Sequence, residues 1–498
     1  MTGPGSTADP AGTADPDSTA DPSSTADPGG TADPGGTADP AGTAGPGSTA
    51  DPGSTADPGG TADPGGTPDR GGTADPGRTP DRGATADPGR TPDPGSTADP
   101  GSGVTGPAQA ANSPGPNEPI STTDIADPDV PVRVTTLELF FDLVFAFTLT
   151  QLASLLEHHL RPSGAFEVLL VFGVLWWMYG GYAWLTNARA PTRTVDRLLL
   201  LAGMAGFLIC GLAIPRGFGP GDTDTRVALG VGYLIVVLVH SGLFYRVNRN
   251  VVRVTPFNVT AALLIIAAGF TDAPVSYALW AAAVAVQWLS PLIVQPGGRF
   301  EFRPAHFAER HGALVIVALG ESVAAIGIGA APAGVTFAVA LTAVLGLALS
   351  AVLWWTYFGD GDDARAEQAM AATDRSRQAG LALATYYAHV PILLGVVTLA
   401  AGASLTIGNP TRPHLGGEAV AIAGGAALFL AGTAWFRWAL HIGPVALRLA
   451  GAGFALATAA IGATVNAEAQ LAVLLAGIVV MLVAERYARV RPGIAARG

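Results

Sequence analysis

The sequence predicts an all-α polytopic membrane protein with about twelve transmembrane helices, preceded by a disordered repeat tail. Three observations support this fold class: a succession of apolar runs, a low charged fraction and a regular alternation of arginine-rich and arginine-poor loops. Charged side chains make up 13% of the 498 residues, about half of the roughly 25% that is usual in soluble domains. A large soluble fold is therefore disfavoured.

The tail covers residues 1–130, where Asp recurs at every sixth position from Asp9 to Asp99, except at Gly45. These hexapeptides combine Asp with Pro, Gly, Thr and Ala, so the tail has almost no apolar surface with which to offset the entropy of ordering. It carries 20 acidic and four basic side chains, whereas the rest of the chain carries 19 acidic and 23 basic side chains. We predict a disordered acidic tail on a mildly basic body; the alternative is a ligand-binding repeat or spacer.

The body after Pro131 contains apolar runs close to the roughly 20 residues that a helix needs to cross a bilayer. The fifth run is the shortest of them, and its assignment is the weakest. The predicted spans are 137–157, 166–186, 198–214, 227–245, 257–270, 275–295, 311–331, 335–359, 379–401, 419–438, 445–463 and 468–484.

Arginine, which replaces lysine throughout the chain, is concentrated in alternate loops and at the C-terminus. By the positive-inside rule, this bias predicts that both termini lie in the cytoplasm. No cleaved signal peptide is predicted, because neither a basic n-region nor an apolar core follows Met1. The rich loops contain Arg189, Arg193, Arg197, Arg246, Arg249, Arg253, Arg299, Arg303, Arg310, Arg365, Arg375, Arg377, Arg437 and Arg448, and the opposite loops contain Arg161, Arg216, Arg226 and Arg412.

An internal repeat is indicated by two pairs of similar segments. VLWWMYGG resembles VLWWTYFG, and the upstream segment ELFFDLVFAFTLTQLA can be aligned with ERHGALVIVALGESVA, which pairs Gln151 with Ser322. We therefore hypothesise two six-helix halves, 131–310 and 311–498, related by an axis along the membrane normal. Such a duplication commonly leaves a central site between the halves.

The segments LELFFDLVFAFTLTQL and HFAERHGALVIVALGES, together with the two LWW segments, resemble the bacterial low-temperature-requirement protein A family. The resemblance extends over roughly residues 131–490 and excludes the tail. The family consists of multipass membrane proteins named for a growth requirement in the cold. The resemblance implies a location in the bacterial inner membrane, and it implies neither a substrate nor a reaction.

Carboxylates within the spans are the main candidate functional groups. Glu138 and Asp142 share one face of the first helix, where they either cap and anchor the helix by pairing with a loop arginine or form a cation or proton site. We favour the site, because acids in membrane spans rarely face lipid. Glu321 is predicted near the midplane, where its carboxylate must be protonated, ion-paired or wetted by a cavity. We interpret it as a carboxylate coupled to substrate or ion binding, rather than as a polar link between helices.

Histidines and the start of the seventh span provide further candidates. His240 and His389 are interpreted as neutral, hydrogen-bonded imidazoles, with a proton relay to Glu321 as the alternative. Glu309 and Arg310 are interpreted as capping the seventh helix and pairing with charges of the first. Their surroundings, HxxERH, differ from the HExxH of zinc proteases, and the chain has a single cysteine, so no metal site is predicted.

Six aromatic residues in the LWW segments are predicted to form an interfacial belt; a stacking platform for an aromatic or cationic ligand is the alternative. They are Trp176, Trp177, Tyr179, Trp354, Trp355 and Tyr357.

Function is inferred from the embedded acids and the repeat. The leading hypothesis is a proton- or cation-coupled secondary transporter that uses Glu321 and Asp142. The alternatives are a membrane-embedded enzyme acting on a lipid or isoprenoid, with these acids and the histidines as acid/base groups, and a non-catalytic membrane protein that supports growth in the cold. The expected partners are the lipid bilayer and an unknown small solute or ion, without nucleic acid or a cofactor, since no nucleotide-binding fingerprint is present. The sequence predicts no particular oligomeric state.

Overall fold

The computed structural model describes a long helical region of the chain. The tail, for which disorder is predicted, lies outside the described residues. Within the described part of the chain every regular element is helical and no strand occurs, so the predicted all-α class is confirmed. The backbone is described for residues 134–219, 221–294, 302–359, 361–414 and 416–495, and the side chains are described as far as Arg489.

The α-helices of the described ranges fall into two consecutive groups. The first group contains α1 (Thr136–His158), α2 (Pro162–Ala188), α3 (Thr194–Ala213), α4 (Thr223–Tyr245), α5 (Thr255–Gly269) and α6 (Val275–Ile293). The second contains α7 (Pro304–Ala330), α8 (Phe337–Phe358), α9 (Asp362–Ala371), α10 (Arg375–Ile407), α11 (Glu418–Leu440), α12 (Ala446–Ala457), α13 (Ala459–Thr464) and α14 (Ala467–Ala495).

Eleven helical segments within the described ranges are long and apolar enough to cross a membrane. The short helices α12 and α13 follow each other closely and together make one such segment. Each of the twelve predicted spans has a helical counterpart, but α5, with 15 residues, is shorter than a full span. The polar ten-residue helix α9, which joins α8 to α10, has no counterpart among the predicted spans.

The seventh helix begins at Pro304, earlier than the predicted residue 311. Proline is favoured in the first turn of a helix because its missing N–H would have no intrahelical partner there. Hydropathy alone places the start too late, because the charged HxxERH run lies inside the helix. The hypothesised boundary between the halves, at residues 310 and 311, therefore falls in the second turn of α7 rather than in a loop.

The two groups of helices pack in the same order. In the first group, α1 packs on α2 and α3, the helices α3 to α6 pack successively, and α2 contacts α4 and α6. In the second group, α7 packs on α8 and α10, then α10 on α11, α11 on α12, and α12 and α13 on α14, while α8 contacts α11 and α14. The groups meet where α1 packs on α7 and α10 and where α2 contacts α7. This packing puts α1 and α7 side by side at the junction.

Glycine permits a close backbone approach between α10 and α11 in the second group. A Cβ atom built on Gly395 would lie 2.6 Å from the backbone nitrogen of Phe429, and one built on Gly425 would lie 2.5 Å from that of Leu399. Small residues of this kind let the backbones of membrane helices come into direct contact. The α10–α11 pair is therefore held by backbone proximity.

Candidate functional site

A buried charge cluster joins the starts of α1 and α7. Glu138 Oε1 lies 3.2 Å from a terminal guanidinium nitrogen of Arg310 and 3.0 Å from His306 Nε2. The other terminal nitrogen of Arg310 lies 3.1 Å from Asp142 Oδ1. Both carboxylates and the guanidinium are 1% exposed. Because a buried charge is tolerated only when it is paired, this α1–α7 charge cluster links the two groups of helices.

Glu138 also caps its own helix. Its backbone N–H donates to Thr135 Oγ1 at 3.3 Å, and its Oε2 accepts from the Thr135 backbone N–H at 2.8 Å, which completes a capping box. The neighbouring Glu309 of α7 accepts from the Val134 backbone N–H at 3.2 Å. The expectation that Glu309 and Arg310 cap the seventh helix is wrong, because both lie in its second turn; they do contact charges and backbone at the start of α1.

Asp142 is contacted at Oδ1 by two residues, one from α2 and one from α7. Tyr179 of α2 donates its hydroxyl to Asp142 Oδ1 at 3.0 Å, beside the Arg310 contact. The Arg310 guanidinium carbon lies 5.3 Å from the ring centroid of Phe141 and 5.6 Å from that of Tyr179, within cation–π range. Arg310 also donates to Thr186 of α2. These contacts match the pairing interpretation of the two acids, with the arginine supplied by a helix rather than by a loop.

A cavity of about 210 Å³ lies between α1, α7 and α10. Glu321 and Ser322 of α7 line it, together with Thr150 and Gln151 of α1 and Glu157 near the end of α1. The repeat alignment pairs the α1 residues Thr150 and Gln151 with the α7 residues Glu321 and Ser322. The cavity therefore forms where equivalent positions of α1 and α7 face each other, and we name it the Glu321 cavity.

The profile described as "Bacterial low temperature requirement A protein (LtrA)" matches residues 133–484. The chain belongs to this family. The uncharacterized protein RA0937 of Rhizobium meliloti (strain 1021) is 29% identical over 323 residues, which covers 60% of this chain and 76% of that protein. LtrA membership and the apolar helices together identify a bacterial multipass membrane protein in contact with the lipid bilayer.

The LtrA match includes the two histidines that the sequence singles out, but neither lines the Glu321 cavity. His240 of α4 packs against Gly181 of α2 and the ring of Tyr182. His389 of α10 accepts from or donates to the Tyr357 hydroxyl at 2.8 Å, and its other ring nitrogen lies 2.8 Å from the Thr385 carbonyl oxygen. These positions provide no direct relay to Glu321.

His311, which the sequence leaves without a role, lies beside His389 in this LtrA fold. The ring centroids are 4.8 Å apart, and both histidines line a small cavity of about 10 Å³ with Asp363 of α9. That volume corresponds to about one water molecule. Within the described residues, no three His, Cys, Asp or Glu side chains are placed to hold a metal ion.

The aromatic residues of the LWW segments divide between two environments, so the expectation of one interfacial belt is wrong for three of them. Trp176, Tyr179 and Tyr357 are buried. Trp176 is stacked on Tyr386 of α10, with ring centroids 4.7 Å apart and an interplanar angle of 10°. Trp354 is 40% exposed and Trp355 51% exposed, as a lipid-facing belt requires. The exposed pair lies on α8, whereas Trp176 of α2 packs on α10. Hydropathy does not reveal this difference, because lipid and the protein core are both apolar.

A second buried charge cluster, absent from the sequence-based predictions, lies in the second group of helices. Asp362 of α9 contacts Arg437 of α11 at 2.6 Å and Arg448 of α12 at 3.0 Å. The same arginines contact Glu485 of α14, at 2.8 Å and 3.3 Å. All four side chains are at most 2% exposed. The sequence feature that indicates such a cluster is an arginine within or beside an apolar run. In the count of loop arginines, each of these is treated as a loop charge.

Proposed function

We propose that this LtrA-family chain is a proton- or cation-coupled secondary transporter of a small solute. The observation that carries the proposal is the Glu321 cavity, because it places a carboxylate in a space between α1, α7 and α10. A carboxylate in a membrane helix is costly unless it is paired, protonated or wetted. Glu321 is partly buried and would couple solute binding to the uptake and release of a proton or cation.

Duplication of a six-helix unit would supply the machinery for alternating access. The matching order of packing in the two groups supports such a duplication, as does the cavity at the junction of α1 and α7. Transporters with parallel repeats bind their substrate between the halves and rock one half against the other. In this proposal the α1–α7 charge cluster acts as a pivot, so Glu138 and Asp142 position the helices, whereas Glu321 carries the coupling.

The orientation that we propose has both termini in the cytoplasm of the bacterial inner membrane. The count of arginines in alternate loops includes four that are buried in ion pairs, and these must be left out of the count. They are Arg226, Arg310, Arg437 and Arg448. The bias nevertheless persists, because only Arg161, Arg216 and Arg412 remain on the arginine-poor side. The positive-inside rule then favours the same orientation as before.

The alternative of a membrane-embedded enzyme has less support. General acid–base catalysis requires its groups within hydrogen-bonding reach of one substrate. Asp142 is held by Arg310, and neither Asp142 nor His240 nor His389 lines the Glu321 cavity. Within the described residues, these candidate acid/base groups therefore do not lie around one reacting centre.

Solid-supported membrane electrophysiology on proteoliposomes tests the transport proposal. We expect one class in a panel of amino acids, amines, sugars and carboxylates to evoke a charge displacement whose size depends on pH. Glu321→Gln should abolish that pH dependence, whereas Glu367→Gln, at an exposed position of α9, should retain it. If no solute evokes a displacement, or if the response of Glu321→Gln equals that of the unsubstituted protein, the proposal fails.

A further inference from the structure

The charged side chains that line the Glu321 cavity are all acidic. Among its described lining residues these are Glu157 of α1 and Glu321 of α7, and no arginine lines it. His158 follows Glu157 in sequence but does not line the cavity; its Nδ1 lies 2.7 Å from the Ser154 carbonyl oxygen. Two carboxylates in one lining concentrate negative charge there, and a bound cation would offset that charge.

An unsatisfied hydroxyl group in the same lining points independently to a ligand. Ser322 is 2% exposed, and its Oγ has no hydrogen-bond partner among the described residues. Buried side-chain hydroxyls normally have a partner. By contrast, the Thr150 hydroxyl in the same lining donates to the Ala146 carbonyl oxygen at 3.3 Å. The cavity thus presents a free acceptor beside two anionic groups, an arrangement that suits a ligand carrying several N–H donors.

The size and the apolar part of the cavity limit the ligand further. Its volume of about 210 Å³ is below the roughly 300–1,000 Å³ typical for drug-sized ligands and above the roughly 150 Å³ that accommodates benzene. Leu149, Ile328 and Val397 supply apolar surface in the same lining. A short aliphatic chain would contact these side chains, and its charged end would face the carboxylates.

We propose that the Glu321 cavity binds a short primary amine in its ammonium form. Glu157 and Glu321 provide the negative charge, and Ser322 Oγ accepts a hydrogen bond from the ammonium group. This inference rests on the proposed transport function and specifies the chemical class of its substrate. An ammonium group has three N–H donors, which match in number the two carboxylates and the hydroxyl of this lining.

Isothermal titration calorimetry on the full chain in detergent, at pH 7, tests the proposal with n-butylammonium as the probe. We expect saturable binding of n-butylammonium and no binding of sodium butyrate or 1-butanol, which have chains of similar length. Loss of one charge-assisted hydrogen bond weakens binding by about ten- to a hundredfold. We expect that effect for Glu157→Gln and for Glu321→Gln, partial recovery for the Glu→Asp variants, and no effect for the exposed control Glu367→Gln.

Three outcomes would overturn the inference: binding of butyrate or butanol as tight as that of butylammonium, an unchanged affinity in both Gln variants, or binding of Na⁺ alone. The assay contains no membrane gradient, so it separates this inference from the transport proposal. Ammonium binding without any solute-evoked charge displacement would support the cation site and remove the transporter. Charge displacement by a solute without ammonium binding would support the transport proposal and overturn the ammonium site.

Discussion

At the scale of single residues, Arg310 bears the largest share of the buried electrostatics in the α1–α7 charge cluster. It contacts Glu138, Asp142 and Thr186 and lies against two aromatic rings. A guanidinium can satisfy several acceptors at once because its donors lie in a fixed planar fork. Removing it would leave Asp142 buried without a counter-charge and Glu138 with His306 as its remaining basic neighbour.

We expect Arg310→Gln to lower the free energy of unfolding by about 3–5 kcal/mol, the cost of breaking a buried pair by removing one partner. Arg375→Gln, which removes an exposed arginine at the start of α10, should change it by less than about 1 kcal/mol. Unfolding in mixed micelles with increasing SDS measures both values. Equal effects of the two substitutions would show that the α1–α7 charge cluster does not stabilise the fold.

The sequence predicts the acids of this cluster and the pairing of Arg310 with charges of the first helix, but not the contacts with His306 and Tyr179. Glu138 and Asp142 are identifiable because carboxylates are rare in apolar helices, and helix periodicity puts them on one face. Hydropathy starts α7 seven residues too late, so it places Arg310 at the cap of the helix rather than in its second turn. The pairing of Asp362 with Arg437 and Arg448 joins three helices, and no spacing along the chain encodes such a contact.

At the scale of helices, α10 and α11 form a closely packed pair, and two glycines allow it. A Cβ atom built on Gly425 of α11 would lie 2.5 Å from the Leu399 backbone nitrogen. A Cβ atom built on the adjacent Gly424 would have no other atom within 4 Å. The two neighbouring positions therefore differ in packing, although both have the same secondary structure and amino-acid type.

We expect Gly425→Ala to destabilise the protein by about 1–3 kcal/mol, because the backbones must separate to accommodate the methyl group. Gly424→Ala should be neutral or stabilising by up to about 1 kcal/mol, because alanine has the higher helix propensity. Thermal unfolding of the two variants in the same detergent compares them directly. A larger loss in Gly424→Ala than in Gly425→Ala would contradict the close packing of α10 on α11.

At the scale of the whole molecule, the sequence predicts the number and order of the spans well, because a helix needs a minimum apolar length to cross lipid. It cannot separate lipid-facing from core-facing aromatics in α2, where Trp176 is buried, since both environments are apolar. The Glu321 cavity also could not be predicted. The sequence places Glu321 near the midplane, but the space around it depends on how α1, α7 and α10 diverge.

Cysteine labelling in intact cells tests the orientation of the whole chain. The only natural cysteine, Cys210, is fully buried, so it contributes little background. We expect Thr411→Cys, in an arginine-poor loop, to react with a membrane-impermeant maleimide, and Thr192→Cys, in an arginine-rich loop, to react only after permeabilisation. Both positions are exposed. The reverse pattern would place the termini outside the cytoplasm.

The short helix α5 has a consequence for the surrounding lipid. Its 15 residues extend about 22 Å at 1.5 Å per residue, against roughly 30 Å for the hydrocarbon layer of a typical bilayer. Leu263 on this helix is 54% exposed, so one face of α5 meets acyl chains directly. Hydrophobic mismatch of this size is relieved by local compression of the bilayer, and annular lipids with shorter tails should therefore collect along this flank of the protein.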